Sequence, residues 1–192
     1  MKPVPFSAQI SNRRGGGYMI EDQRFAFTRP DVLVYSTDAL TEAVTLAGPI
    51  NAELFVSTTG TDADFVVKVI DVYPNDAPND SPQSQTRMGG FQMLVRAEAM
   101  RGKFRNDLSE PVPFKPNQPT LVKVPLQDVH HTFKPGHKIM VQIQSSWFPL
   151  MDRNPQKFVD IYNCTESDFR RATHRVYRAG KLASRLQVGL IK

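Results

Sequence analysis

One cysteine, Cys164, stands among the 192 residues, so no disulfide framework can staple this chain to itself. No run approaches the roughly 18 consecutive apolar residues of a membrane span, and Met1-Lys2-Pro3 lacks the apolar stretch and small-residue cleavage site of a secretory signal. No glycine is followed two residues later by serine, which excludes the strained G-x-S-x-G elbow on which a serine hydrolase of the α/β type mounts its nucleophile. There is no H-E-x-x-H and no cysteine pair to hold zinc. Gly15-Gly16-Gly17 fits neither G-x-G-x-x-G nor a phosphate loop ending in G-K-S/T, and reads as a hinge or a close backbone approach. A soluble chain is expected, with no cofactor and no bound metal.

What is present suffices for a folded core. The chain is 40% hydrophobic and 22% charged, and at this length folding buries roughly 70% of the surface an unfolded chain exposes. The net charge of +5 and pI near 9.4 would point to nucleic acid only if the cations clustered. The densest basic stretch, Phe169 to Arg178, follows acidic Glu166 and Asp168 and carries no base-reading motif. Neither nucleic acid nor a membrane is expected as a partner.

Period-two alternation in runs rich in Val, Ile, Thr and aromatics predicts half-buried antiparallel strands. They span Asp31–Thr37, Ile50–Thr58, Phe65–Tyr73, Phe91–Met100, Thr120–Leu126 and Lys138–Ser145, with a weaker pair near Arg175 and Leu186. In the second and third runs the polar residues fall mostly on one parity, which predicts one wet face and one packed face. Clusters at Thr59–Asp62, Pro74–Gln85, Pro111–Pro119 and Lys134–Gly136 read as turns, with proline bounding strands and not entering them. A short helix is expected at Thr165–Ala172, with Thr165 as N-cap and Asp168 at the capping-box position. Short strands separated by regular turns predict an all-β jelly-roll sandwich over residues 31–192. Residues 1–30 read as a glycine-rich connector that needs a partner surface to order it.

Three groups of residues invite chemistry. Ser145 and Ser146 end an apolar strand near His130, His131, His137 and Asp128, a local Ser-His-Asp set whose plainer reading is hydroxyls satisfying backbone groups. The same histidines offer metal ligands, although neighbours on a strand face opposite ways. Asp76, Asn79 and Asp80 offer oxygen ligands for calcium without the EF-hand spacing, and are also ordinary turn formers. Trp147, the only tryptophan, and Phe148 sit where a strand gives way to a Pro-bounded loop that runs to Arg153. Trp and Arg are enriched at binding hot spots; the competing reading is a tryptophan closing one end of the core.

Four separated segments resemble one family. They are Arg14-Gly15-Gly16-Gly17-Tyr18-Met19-Ile20-Glu21-Asp22-Gln23-Arg24, Arg29-Pro30-Asp31-Val32-Leu33-Val34-Tyr35, Gly60-Thr61-Asp62-Ala63-Asp64-Phe65 and Ser145-Ser146-Trp147-Phe148-Pro149. In this order they resemble the C-terminal domain of the X-Pro dipeptidyl-peptidase, cocaine esterase and α-amino-acid ester hydrolase (CocE/NonD) family. The resemblance implies a galactose-binding-like jelly roll beside an upstream α/β-hydrolase domain that carries the Ser-Asp-His triad, so this chain itself would hold no catalytic residue. It further implies a non-catalytic role, supporting the fold and walling the active-site cleft, with oligomers formed through the parent enzyme. Trp147, Phe148 and Arg153 are the expected docking loop, and Tyr18, Asp22 and Arg24 a second contact to the partner domain. The alternative is a carbohydrate-binding jelly-roll module with Trp147 as its aromatic platform.

Overall fold

Alternation becomes architecture through nine strands, numbered here among residues 21–84, 86–148 and 150–191, which the computed structural model describes. In chain order they are β1 (Val32–Ser36), β2 (Val44–Thr58), β3 (Asp64–Val72), β4 (Gln92–Arg101), β5 (Thr120–Phe133), β6 (Lys138–Gln144), β7 (His174–Val176), β8 (Arg185–Gln187) and β9 (Leu190–Ile191). One antiparallel sheet runs β1-β6-β3-β4. In the other, the 15-residue β2 pairs with β5 along one side and with β9, β8 and β7 in succession along the other. The two sheets make an all-β sandwich.

Both long strands outrun the predicted runs, β2 beginning at Val44 and not Ile50, and β5 ending at Phe133 and not Leu126, and each contains a proline. Pro49 lies at a register shift of β2 beside Gly48, whose φ of +86° only glycine adopts without strain. Pro125 is inside β5, an edge strand opposite Asn51. The Phe55 carbonyl accepts from Tyr177 N–H, and strict ladder alternation from that bond turns the Pro125 nitrogen away from β2, where no donor is needed.

The core lies between the sheets. Leu46, Ile50, Ala52, Leu54 and Val56 of β2 meet Phe65, Val67 and Val69 of β3, with Val122, Val124, Val129 and Phe133 of β5 closing the space. Each such side chain contributes about 1.5–3 kcal/mol on burial. Across this core, at the end that carries the β5–β6 turn, the buried Asp71 accepts from His131 Nε2 at 2.9 Å and His137 Nδ1 at 2.7 Å, tying the two sheets together. At the other end, Phe114 packs edge-on against Phe65 and beneath the Arg105 guanidinium, 4.2 Å from its ring centre.

The expectation of one wet face fails for β3. Its residues are buried on both parities, Lys68 completely. The outer face of the first sheet is covered by a four-residue helix, α1 (Arg24–Phe27), and by the chain after β6, both absent from the alternation signal. The helix expected at Thr165–Ala172 contracts to one 3-10 turn, Glu166–Asp168, where Asp168 Oδ2 accepts from Thr165 N–H at 3.0 Å.

Candidate functional site

The covered outer face begins with small and polar side chains. Val66 and Lys68 of β3, Ala97 and Ala99 of β4, and Gln142 and Gln144 of β6 share it by register. Phe25 of α1, Trp147 and Met151 pack onto Val66 and the alanines. The Lys68 ammonium donates to Gln23 Oε1 at 3.0 Å and lies 5.2 Å from the Phe25 ring centre and 5.5 Å from that of Trp147. Desolvation, reinforced by the positive charge of Arg29, pushes its pKa down to about 7.

Phe148 and residues 150–153 lie between two buried anchors. The first is Trp147, only 8% exposed, its carbonyl closing a turn with Met151 N–H at 3.1 Å. The second is Asn154, which donates from Nδ2 to Asp64 at 2.7 Å. Asp64 also faces the Arg101 guanidinium at 3.5 Å, and Arg101 reaches the Asp152 carbonyl at 3.2 Å. Burial raises the Asp64 pKa to about 6 against the opposing pull of Arg101 and Asn154, and raises that of Asp62 beside it. With both ends pinned, Met151 packs back onto the sheet while Phe148, Leu150 and Arg153 are turned outward. Phe148 is 44% and Leu150 45% exposed. The exposed Arg153 guanidinium stands 5.9 Å from the Phe148 ring and 5.3 Å from the Phe169 ring. Further along, Phe158 is exposed, and Tyr162 is 87% exposed on a 3-10 turn capped by Asp160.

The structure thus separates the expected docking residues. Trp147 is an internal wedge against the sheet, whereas Phe148 and Arg153 are outside. Asp22 accepts from Gln92 N–H at 3.2 Å and from Arg24 Nε at 2.6 Å, and Arg24 reaches the Gly89 carbonyl at 3.2 Å. Both residues therefore lash α1 to β4 and to the turn before it. Tyr18 lies outside the described residues. Sequence reasoning missed Lys68, Asn154 and the Asp62–Asp64 pair as organisers of this face, although Gly60–Phe65 carried part of the family resemblance.

The local Ser-His-Asp set does not assemble among the described residues. His130 is exposed while its neighbour His131 faces inward to Asp71, as adjacent strand positions must. His137 is bound to the same carboxylate, and the Asp128 carbonyl accepts from Arg96 Nε at 2.8 Å. Among the described residues no three His, Cys, Asp or Glu side chains are grouped to hold a metal ion. Asn79 Oδ1 accepts from Met88 N–H at 3.0 Å, a turn contact.

Residues 20–187 match the family model described as the X-Pro dipeptidyl-peptidase C-terminal non-catalytic domain. The chain is 32% identical to cocaine esterase of Rhodococcus sp. (strain MB1 Bresler) over 190 residues, 99% of this chain and 31% of that protein. An aminopeptidase from a marine sediment Thaumarchaeota archaeon superposes with TM-score 0.90 at 40% identity, over 100% of this chain and 32% of that one. An α-amino acid ester hydrolase superposes with TM-score 0.84 at 42% identity, over 91% of this chain and 28% of that one. The chain spans about a third of the length of the relatives it matches.

Proposed function

The chain belongs to the X-Pro dipeptidyl-peptidase C-terminal non-catalytic domain family, and on that footing we propose that it is the jelly-roll accessory domain of a serine hydrolase, docked on an upstream α/β-hydrolase domain and walling its active-site cleft. In such a parent a seryl nucleophile attacks an ester or amide carbonyl and passes through an acyl-enzyme. This domain contributes binding surface and exclusion of water.

The observation that carries the reading is the pinned loop. Ordering a loop costs conformational entropy, and here buried anchors at Trp147 and Asn154 meet that cost to hold Phe148, Leu150 and Arg153 in solvent. A large aromatic and an arginine held out by a rigid frame are what a docking hot spot requires. The loop also flanks α1, the point at which the described chain enters the sandwich. Trp147 positions this loop, Phe148 and Arg153 make the contact, and Asp22 and Arg24 fix the angle of entry.

The test is reconstitution with the catalytic part encoded upstream in the native reading frame, which is expected to carry G-x-S-x-G. Association measured by calorimetry, and turnover of a p-nitrophenyl ester by the complex, should both weaken at least about tenfold in Phe148→Asp/Arg153→Ala. Wild-type affinity in that double variant overturns the docking assignment. An upstream frame without the serine elbow overturns the hydrolase reading.

A further inference from the structure

Three cations follow one another at alternate positions where β4 ends, Arg101, Lys103 and Arg105, and each holds a different loop by a backbone carbonyl. Arg101 donates to the Asp152 carbonyl at 3.2 Å, in the loop that carries Phe148 and Arg153. Lys103 Nζ donates to the Val159 carbonyl at 2.9 Å, in the segment that leads to Tyr162. Arg105 donates from Nη1 to the Val112 carbonyl at 2.7 Å and from Nη2 to the Pro113 carbonyl at 3.0 Å, closing the loop 106–112 on itself. The three loops meet at one end of the sandwich, where β3 begins and β4 stops.

What these loops present is apolar. The frame of loop 106–112 is polar, Asp107 Oδ1 accepting from Ser109 N–H at 2.7 Å and from Glu110 N–H at 3.2 Å, yet Leu108 at its tip is 80% exposed. In the second segment Phe158 N–H donates to Thr61 Oγ1 at 2.8 Å and Asp160 caps the next turn, so that Ile161 is buried while Tyr162 stands out. Leu108, Val112, Phe148, Leu150, Phe158 and Tyr162 are six of the twelve large hydrophobic side chains exposed among the described residues. The described residues of the turns that close the opposite end, between β1 and β2, β3 and β4, and β5 and β6, expose none. Single exposed hydrophobic residues need no explanation, whereas their gathering on one end marks an interaction surface.

On the accessory-domain reading above, we infer that this whole end of the sandwich is the docking surface, a tripod of three braced loops, and that its occupant is the catalytic part of the parent, which receives Leu108 and Tyr162 in apolar pockets. Two observations select that occupant. Arg101 makes the platform continuous with the loop of Phe148 and Arg153, and the chain spans about a third of the length of the relatives it matches, so most of such a parent lies outside it. Arg101, Lys103 and Arg105 are braces and not contacts, because each is turned to carbonyls of its own domain. Tyrosine is a hot-spot residue, with large apolar area and a polar tip, and a leucine at the tip of a tied loop loses little freedom on docking.

The experiment is hydroxyl-radical footprinting read by mass spectrometry, on the 192-residue chain alone and on the full-length parent expressed from the native reading frame. In the parent, Leu108 and Tyr162 should lose most of the reactivity they show in the isolated chain, while Leu190 and Ile191, exposed on β9, keep theirs. In the reconstitution assay above, Leu108→Ser/Tyr162→Ser should bind the catalytic part at least about tenfold more weakly and keep the wild-type Tm, since both side chains stand almost wholly in solvent. Protection of Phe148 and Leu150 with Leu108 and Tyr162 still reactive overturns the three-loop platform and leaves the docking loop standing. Unchanged reactivity at all six side chains, or a native frame that adds no upstream domain, overturns both. Wild-type affinity of the double variant removes the two anchors and overturns the platform. Concentration-dependent protection in the isolated chain assigns this end to a second copy and overturns the assigned occupant.

Discussion

Asp64→Asn removes a carboxylate whose ionisation the fold opposes. Asp64 is 3% exposed, and its pKa rises from 3.8 to about 6 because burial outweighs the help of Arg101 and Asn154. The folded state therefore holds this proton more tightly than the unfolded chain does. Stability from this group is present at low pH and is lost as pH rises through the window from about 4 to 6. About two pKa units correspond to about 3 kcal/mol. Asparagine resembles the neutral acid and cannot ionise, so the unfolding free energy of the variant, relative to wild type, should improve by about 2–2.5 kcal/mol between pH 4 and pH 7, the rest of the change lying below pH 4. Asn154 can still donate to the asparagine oxygen, and Arg101 keeps the Asp152 carbonyl. The assay is urea unfolding at closely spaced pH values, followed by the fluorescence of the single tryptophan, Trp147, which is buried in the fold. His174, whose pKa burial lowers, pushes the wild-type curve the opposite way, but it is present in both proteins and cancels in the difference. A stability difference that stays constant from pH 4 to 7 refutes the reasoning, since it means Asp64 ionises in the fold as freely as in the unfolded chain.

Lys68 runs with the opposite sign. Its lowered pKa makes the folded state release a proton the unfolded chain keeps, so wild-type stability should climb between pH 7 and 10 with a slope approaching one proton, and Lys68→Met should flatten that climb in the same urea experiment. Phe133→Ala empties a completely buried site and should cost about 3–5 kcal/mol, read as a lower urea midpoint at unchanged m-value. Gly102→Ala should cost about 1–3 kcal/mol, because the new Cβ would meet the Ala63 carbonyl oxygen at 2.4 Å and the Phe114 ring at 2.5 Å; a wild-type Tm would show that this contact yields freely. Asp71→Leu leaves His131 and His137 without their shared acceptor and should lower stability by about 1–3 kcal/mol, with amide exchange rising first in the turn between β5 and β6.

Much of this fold is legible from period-two alternation alone, since a strand that packs one face must write that face into every second residue. The runs starting near Val32, Phe65, Phe91 and Lys138 correspond to strands within a residue or two at most ends. The start of β2 and the end of β5 were not legible. Pro49 and Pro125 are tolerated only because one sits at a bulge and the other on an edge, and neither circumstance is written locally. The site was less readable still. Asp71 falls on the same parity as Phe65, Val67 and Val69, a charge on an apolar face that signals a buried partner, but the sequence cannot say that the partners are His131 and His137, some sixty residues away.

By itself, then, the sequence determined the kind of molecule: one cysteine and no membrane-length run, alternation enough for two antiparallel sheets, and four ordered segments sufficient to indicate the family. Tertiary structure decided what each conspicuous residue does. Trp147 and Phe148 are neighbours in sequence, yet one is wedged against β3 and the other stands in solvent, because Asn154 and Asp64 pin the far end of the loop between them. Lys68 belongs to a strand whose alternation promised a wet face, yet α1 and the chain after β6 close over it. Alternation records which residues share a face, whereas what covers that face is set by segments distant in the chain, and only folding brings them together.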